Sequence, residues 1–97
     1  MPIAKIDKKV EGPPVKIGTS KGGMNAFMAG IWCITKDDKT YERPVIFLRP
    51  QGQPVDTGTT PDPEELLSID QLITFSQPGA WEWDQAAIAE AQLTTST

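Results

Sequence analysis

Histidine is absent from this 97-residue chain, and cysteine occurs once, as Cys33. Histidine is the commonest general base near neutral pH and the commonest zinc ligand in proteins. A lone cysteine excludes an internal disulfide and is typical of a reducing compartment. Cys33 also lies inside an apolar run, where a free thiol is more often packed in the core than used as a nucleophile. The composition therefore predicts a protein that is not an enzyme and needs no metal or other cofactor.

Long hydrophobic runs are also missing. The longest uncharged apolar stretch, residues 24–35, is shorter than the roughly 18 residues of a membrane span and is interrupted by Asn25 and Gly30. No apolar segment of a signal peptide follows the lysines near the amino terminus. We expect a cytoplasmic protein, in the host cytoplasm if it is viral, with no membrane contact. Its length predicts a single domain over residues 1–97, with little room for a deep substrate cleft.

Positive charge is missing from the second half of the chain. All nine basic residues lie at or before Arg49, and with five acids they give residues 1–49 a net charge of +4. Residues 50–97 carry eight acids and no base. Two interpretations stay open. Either the two halves pair with each other within one fold, or the basic half binds a polyanion while the acidic half contacts something else.

Aromatic and β-branched residues are concentrated in two runs of the first half, on either side of a polar turn at residues 36–39. This pattern predicts a β-hairpin. Gly30 predicts a bulge or bend in its first strand, and Pro44 places the second strand at an edge or a bulge, since proline cannot donate to the ladder. The predicted strands of this half are residues 15–17, 24–35 and 40–48.

The second half begins with a proline- and glycine-punctuated stretch, residues 49–63, that predicts a long loop. Asp62 followed by Pro63 predicts the start of a short helix, with Glu65 at the capping-box position. The alternation in residues 69–75 predicts a strand.

Residues 80–83 also predict a strand, which places Trp81 and Trp83 on one face. Asp84 predicts the N-cap of a helix that continues to residue 93. Together, these elements predict a mainly β fold, a small OB-like or Greek-key barrel of about five strands with one or two short helices in the second half.

Three short patterns resemble reactive sites but have simpler structural explanations. Residues 19–25 (TSKGGMN) begin like a phosphate-binding loop, yet that motif needs Gly-Lys followed by Ser or Thr, and Met24 and Asn25 stand there instead. A glycine-rich turn with an exposed Lys21 explains this stretch better. The acids at residues 62–65 fit helix capping better than metal binding, and Asp37-Asp38 fits a hairpin turn.

Aromatic and basic side chains gather around the predicted hairpin. Single-stranded nucleic acid is bound by this combination, because cations follow the phosphates while flat rings stack on bases. A small β-domain also needs large residues in its core, so the pattern leaves open which rings are exposed. The candidate contacts are Lys16, Lys21, Phe27, Trp32, Tyr41, Arg43 and Arg49.

The first 54 residues also contain an ordered set of glycine, lysine and aromatic positions. The set comprises Lys16, Gly18, Ser20-Lys21-x-Gly23, Cys33, Tyr41, Val45 and Gly52-Gln53-Pro54. Its spacing resembles the gene-five type of single-stranded-DNA-binding protein from filamentous phages. The resemblance implies an OB-fold, a homodimer, cooperative coating of single strands and no catalysis.

By the same resemblance, Lys16 and Lys21 would contact phosphate, Tyr41 would stack or form a protein–protein contact, and Met28 would line the binding face. This chain has Ala26 and Ile34 where the family has tyrosines, so base stacking would pass to neighbours such as Phe27 or Trp32. The late basic residues of the family have no counterpart here.

The sequence thus predicts a non-catalytic single-stranded-DNA-binding protein of phage or plasmid type. The alternative is a protein-binding accessory or inhibitor, viral in origin, that acts through its acidic second half. A structural subunit of an assembly is a third possibility. The predicted partner-binding residues of the alternative are Asp62, Glu64, Glu65 and Asp70.

Overall fold

The computed structural model describes residues 4–55, 61–93 and 95–96. In this part of the chain, seven strands form one sheet with antiparallel pairing throughout, and two short α-helices lie in the second half. The elements are β1 (Lys8–Val10), β2 (Val15–Ser20), β3 (Met24–Lys36), β4 (Lys39–Pro50), β5 (Leu67–Ser68), α1 (Ile69–Phe75), β6 (Trp81–Trp83), α2 (Gln85–Leu93) and β7 (Thr95–Ser96). The mainly β class is confirmed, whereas an OB-like closure of the sheet stays a prediction.

The β3–β4 hairpin is the longest unit of the sheet. Its strands pair from Met24 opposite Pro50 to Lys36 opposite Lys39. The two residues between them, Asp37 and Asp38, have φ values of 54° and 63°. Two consecutive positive φ values define the tight turn whose twist matches that of the flanking strands. The predicted hairpin and its polar turn are confirmed.

Strand β3 changes partner halfway along its length. Its first half pairs with β2, where Val15 lies opposite Met28, and its second half pairs with β1, where Lys8 lies opposite Ile31. The register with β4 shifts between Met28 and Gly30. A side chain at Gly30 would collide with the carbonyl oxygen of Lys8. The predicted bulge is therefore confirmed, and it lies where the pairing of β3 passes from β2 to β1.

The main buried cluster lies on the face of the hairpin that carries Met28 and Ile46, and it is covered by α2, which packs against β2 and β3. The Asp84 carboxylate accepts a hydrogen bond from the Ala87 N–H at 3.0 Å, so the predicted helix cap is confirmed. The buried cluster consists of Val10, Ile17, Ala26, Met28, Ile31, Ile46, Ile69, Ile88 and Ala91.

Strand β6 lies beside β2 and carries both tryptophans on one face, as predicted. Their rings stack with centroids 5.3 Å apart. Gly18 lies opposite Trp83, and a β-carbon on Gly18 would come within 2.5 Å of that indole ring. Glycine at this position therefore lets the aromatic ring approach the backbone of β2 closely.

Residues 69–75 form a helix, so the strand predicted there is wrong. The Ser68 hydroxyl accepts a hydrogen bond from the Gln71 N–H at 3.1 Å, while the Gln71 side chain accepts one from the Ser68 N–H at 2.9 Å. This reciprocal capping box starts α1. Ile69 and Leu72, three residues apart, then pack against the core, which the helical period requires.

The proline-rich connection after β4 is described only in part, because residues 56–60 lie outside the described residues. The predicted helix start after Asp62 is a short 3-10 turn, Pro63–Glu65. The Glu65 carboxylate accepts a hydrogen bond from the Asp62 N–H at 2.7 Å. Neither helix in the described part of the chain is long enough to cross a membrane.

Candidate nucleic-acid interface

The outer part of the β3–β4 hairpin, residues 32–43, extends beyond the other strands. Strand β1 pairs with β3 only as far as Ile31, and β5 pairs with β4 at Val45 and Ile46. We call this two-stranded ribbon the arm. Side chains alternate across a strand, and directly opposed residues share a face. The register therefore places six side chains on one face of the arm. This arm face consists of Trp32, Ile34, Lys36, Lys39, Tyr41 and Arg43.

The arm face combines rings and cations at the surface. Tyr41 is 48% exposed, Trp32 is half-buried, and Lys36 and Lys39 are exposed. Trp32 lies opposite Arg43 and is therefore a diagonal neighbour of Tyr41, a relation that brings β-carbons within about 8 Å. The two aromatic residues thus share one face at adjacent paired positions, with the lysines beyond them towards the turn.

The opposite face of the arm has a different character. It carries Cys33, Thr35, Thr40 and Glu42. The Lys8 ammonium lies 2.7 Å from the Glu42 carboxylate, and this hydrogen bond raises the pKa of Lys8 above its ordinary value. Cys33 is half-buried and packs against the core. The lysine beside this face, Lys8 of β1, is thus already paired, and the face itself has no aromatic ring.

Arg43 is held by a carboxylate from the second half of the chain. Its Nε and Nη2 atoms each donate to Asp70 at 2.6 Å, to Oδ2 and Oδ1 respectively. This bidentate contact raises the pKa of Arg43 above its already high ordinary value. Arg43 was predicted to contact phosphate and Asp70 to contact a protein partner, and the structure places them on each other.

Arg49 makes a second pair of the same kind. Its Nη1 atom lies 2.6 Å from Glu65 Oε1, and its guanidinium lies over the Phe47 ring, 5.0 Å from the centroid. Hydrogen bonding to Arg49, and then to the Asp62 N–H, lowers the pKa of Glu65 below its ordinary value. The two halves of the chain therefore pair within one fold at two places, as the first interpretation of the charge split proposed.

Two predicted contact residues are buried instead. Met28 lies opposite Ile46 on the core face and has no exposed surface, so the prediction that it lines an exposed binding face is wrong. Phe27 lies on the same face of the sheet as Tyr41, but it is only 8% exposed. Its ring stacks on Phe47 with centroids 5.7 Å apart, so it does not offer a free ring to a base.

The two predicted phosphate-binding lysines are not neighbours of the arm. Lys16 lies opposite Phe27 and is exposed, on the same face of the sheet as Tyr41 but about 20 Å along the strands at 3.4 Å per residue. Lys21 follows β2, where its N–H donates to the Ala80 carbonyl at 3.1 Å. This turn lies at the opposite end of the hairpin from the arm.

The structure adds Ile34, Lys36 and Lys39 to the rings at Trp32 and Tyr41. These three were not selected as contacts from the sequence. The signal that could have found them is the alternation on either side of the turn, because Lys39 and Tyr41, two residues apart, must share a face.

The predicted partner-binding acids do not all remain available. Glu65 and Asp70 are occupied by arginines, while Asp62 and Glu64 are exposed. Among the described residues, no group of acids and cysteine is arranged to hold a metal ion.

The second half also carries an uncharged groove between the end of α1 and β6, with a volume of about 290 Å³. Phe75, at the end of α1, is 75% exposed. The groove is lined by Ile73, Ser76, Gln77, Pro78, Gly79, Trp81 and Trp83. Its lining holds no charged residue and combines the apolar side chains of Ile73, Trp81 and Trp83 with the polar ones of Ser76 and Gln77.

Comparison with protein-family models, with curated proteins and with solved structures finds no match to this chain. The resemblance to the gene-five type of protein therefore stays a prediction.

Proposed function

We propose that this protein binds single-stranded DNA on the arm face and has no catalytic activity. The observation that supports this proposal is the set of a half-buried Trp32, an exposed Tyr41 and two exposed lysines on one face of a two-stranded ribbon. Base stacking on an aromatic side chain contributes about 1–3 kcal/mol per base. Trp32 and Tyr41 together offer platforms for about two bases.

The two lysines of the arm face also support DNA binding. Lys36 and Lys39 lie directly opposite each other, and like charges in this position destabilise a ribbon. Neither forms an ion pair with another described residue. A phosphate bound between them would relieve their repulsion. Single strands fit better than duplex because the bases of a duplex are already stacked on each other and not free to stack on protein rings.

The test is a titration of the purified protein with oligo-dT at low salt. We expect quenching of tryptophan fluorescence, and an affinity that falls as salt rises because binding releases counterions. Tyr41→Ala and Trp32→Ala should each weaken binding by about 1–3 kcal/mol, the value of one stacked base. Comparison with Trp32→Phe separates the signal of Trp32 from those of Trp81 and Trp83.

The matched control is Thr40→Ala, which changes the neighbouring residue on the opposite face of the arm. It should leave the affinity unchanged. Absence of binding at low salt, or equal effects of Thr40→Ala and Tyr41→Ala, would contradict the proposal.

A second candidate function is protein binding through the second half. The groove beside Trp81 and the exposed side chain of Phe75 favour it, since large exposed apolar side chains next to a groove often mark interaction sites. Sedimentation of the wild type and of Phe75→Ser over a range of concentrations tests whether a second copy is the partner. Self-association that Phe75→Ser removes would support the predicted homodimer.

A further inference from the structure

We propose that Asp70 limits the affinity of the arm face for single-stranded DNA by holding Arg43 away from phosphate. This inference depends on the proposed function, and it concerns how that same site is regulated. Arg43 is the only residue of the arm face that forms an ion pair with another described residue. A phosphate that takes the bidentate contact through Nε and Nη2 of Arg43 must therefore displace the carboxylate of Asp70.

The backbone fixes the position of Asp70 independently of the ion pair. Strand β5 pairs with β4 where Ser68 lies opposite Val45, two residues from Arg43. The capping box of Ser68 and Gln71 then starts α1, so Asp70 falls in its first turn. The carboxylate is thus delivered to the edge of the arm by strand pairing and helix capping.

The geometry of the pair makes it a strong competitor. Both hydrogen bonds are 2.6 Å long, and they occupy two nitrogens of one guanidinium. Charge-assisted, two-pronged contacts are among the strongest hydrogen bonds in proteins, and phosphate uses the same geometry. Both side chains are nevertheless about half exposed, so a phosphate can reach the pair. In the wild-type protein, Lys36 and Lys39 therefore supply most of the attraction to phosphate.

The test compares Asp70→Asn with Glu42→Gln in oligo-dT titrations at several salt concentrations. Asp70→Asn frees Arg43 on the arm face. One added phosphate contact should steepen the slope of log K against log salt by about 0.7, which corresponds to an affinity about fivefold higher at 0.1 M salt. Glu42→Gln removes the same charge one residue from Arg43 but on the opposite face, and it should change the affinity less than twofold.

Equal effects of the two variants would show that only net charge matters and would overturn the proposal, as would an unchanged affinity in Asp70→Asn. Binding by Asp70→Asn without detectable binding by the wild type would support it. If no variant binds DNA at low salt, the proposed function itself fails, and the inference fails with it. Circular dichroism and a second variant, Asp70→Ser, separate a loss of α1 from the release of Arg43.

Discussion

At the scale of single residues, the turn of the hairpin carries a conformational cost. Asp37 and Asp38 both have left-handed backbone angles, a conformation that costs most L-residues roughly 1–2 kcal/mol. Aspartate tolerates it better than most residues because its short side chain can hydrogen-bond locally. The sequence therefore retains a two-residue turn without the glycine that such turns prefer at their second position.

Replacement of Asp38 by glycine should stabilise the protein. Glycine adopts positive φ without steric cost, so Asp38→Gly should raise the free energy of unfolding by about 1 kcal/mol. Urea denaturation should show a higher midpoint with an unchanged slope. The control is Thr40→Gly, which places glycine in the adjacent strand and should lower stability. A lower midpoint for Asp38→Gly would contradict this account of the turn.

At the scale of elements, the 3-10 turn Pro63–Glu65 is linked to β4 through Glu65 and Arg49. The folded protein lowers the pKa of Glu65, chiefly through the hydrogen bond from Arg49. A carboxyl group with a lowered pKa contributes stability above its unfolded pKa, about 4.3 for glutamate. That contribution is lost as the pH falls through the folded value.

We therefore expect the stability advantage of the wild type over Glu65→Gln to be present at pH 7 and to shrink progressively below about pH 4.3, the ordinary glutamate pKa. Urea midpoints of both proteins at a series of pH values measure it. Glu64→Gln is the control, since the neighbouring side chain is exposed and forms no ion pair with a described residue. A difference that stays constant down to pH 3 would contradict the role assigned to this pair.

The elements differ in how far the sequence could predict them. The hairpin was predictable because two long β-rich runs flank a short polar turn. Helix α1 was not, because its seven residues, with apolar positions at 69, 72, 73 and 75, fit both the two-residue period of a strand and the 3.6-residue period of a helix. The choice is made by the Ser68–Gln71 capping box and by burial of Ile69 against the core. The capping residues are visible in the sequence, but the burial is a tertiary effect.

The bulge also explains which of the predicted site residues lie on the arm face. In a regular strand, Met28 and Trp32 would share a face because they are four residues apart. The register shift after Met28 reverses this relation, so Met28 points into the core and Trp32 lies with Tyr41 on the arm face. Gly30 indicated that a bulge exists, but the sequence does not show which residue is skipped.

At the scale of the whole molecule, the charge split is partly an internal pairing. Arg43 and Arg49 of the first half are matched by Asp70 and Glu65 of the second. The division of charge between the halves was visible in the sequence, but the pairing was not, because it depends on where β5 and the 3-10 turn meet β4. Among the described cations of the arm face, Lys36 and Lys39 form no ion pair.

The exposed apolar surface of the second half predicts a contrast between two phenylalanines. Phe75 is 75% exposed and Phe47 is 1% exposed. Phe75→Ala should change stability by less than about 0.5 kcal/mol, as surface substitutions usually do, whereas Phe47→Ala should cost about 3–5 kcal/mol. Thermal and urea unfolding measure both. A large loss of stability in Phe75→Ala would mean that the Phe75 ring is covered in solution. Sedimentation would then show whether a second copy of the chain covers it.

The closeness in sequence of the two long strands has a consequence for folding kinetics. Strands β3 and β4 are joined by two residues, whereas Gly18 pairs with Trp83, which lies far along the chain in β6. Local pairs form with little loss of loop entropy, and distant pairs pay more. We therefore expect the hairpin to lie in the folding nucleus, so that Asp38→Gly accelerates folding, while substitutions at Gly18 chiefly accelerate unfolding. On a nascent chain, the arm would then form before Asp70 is available to hold Arg43.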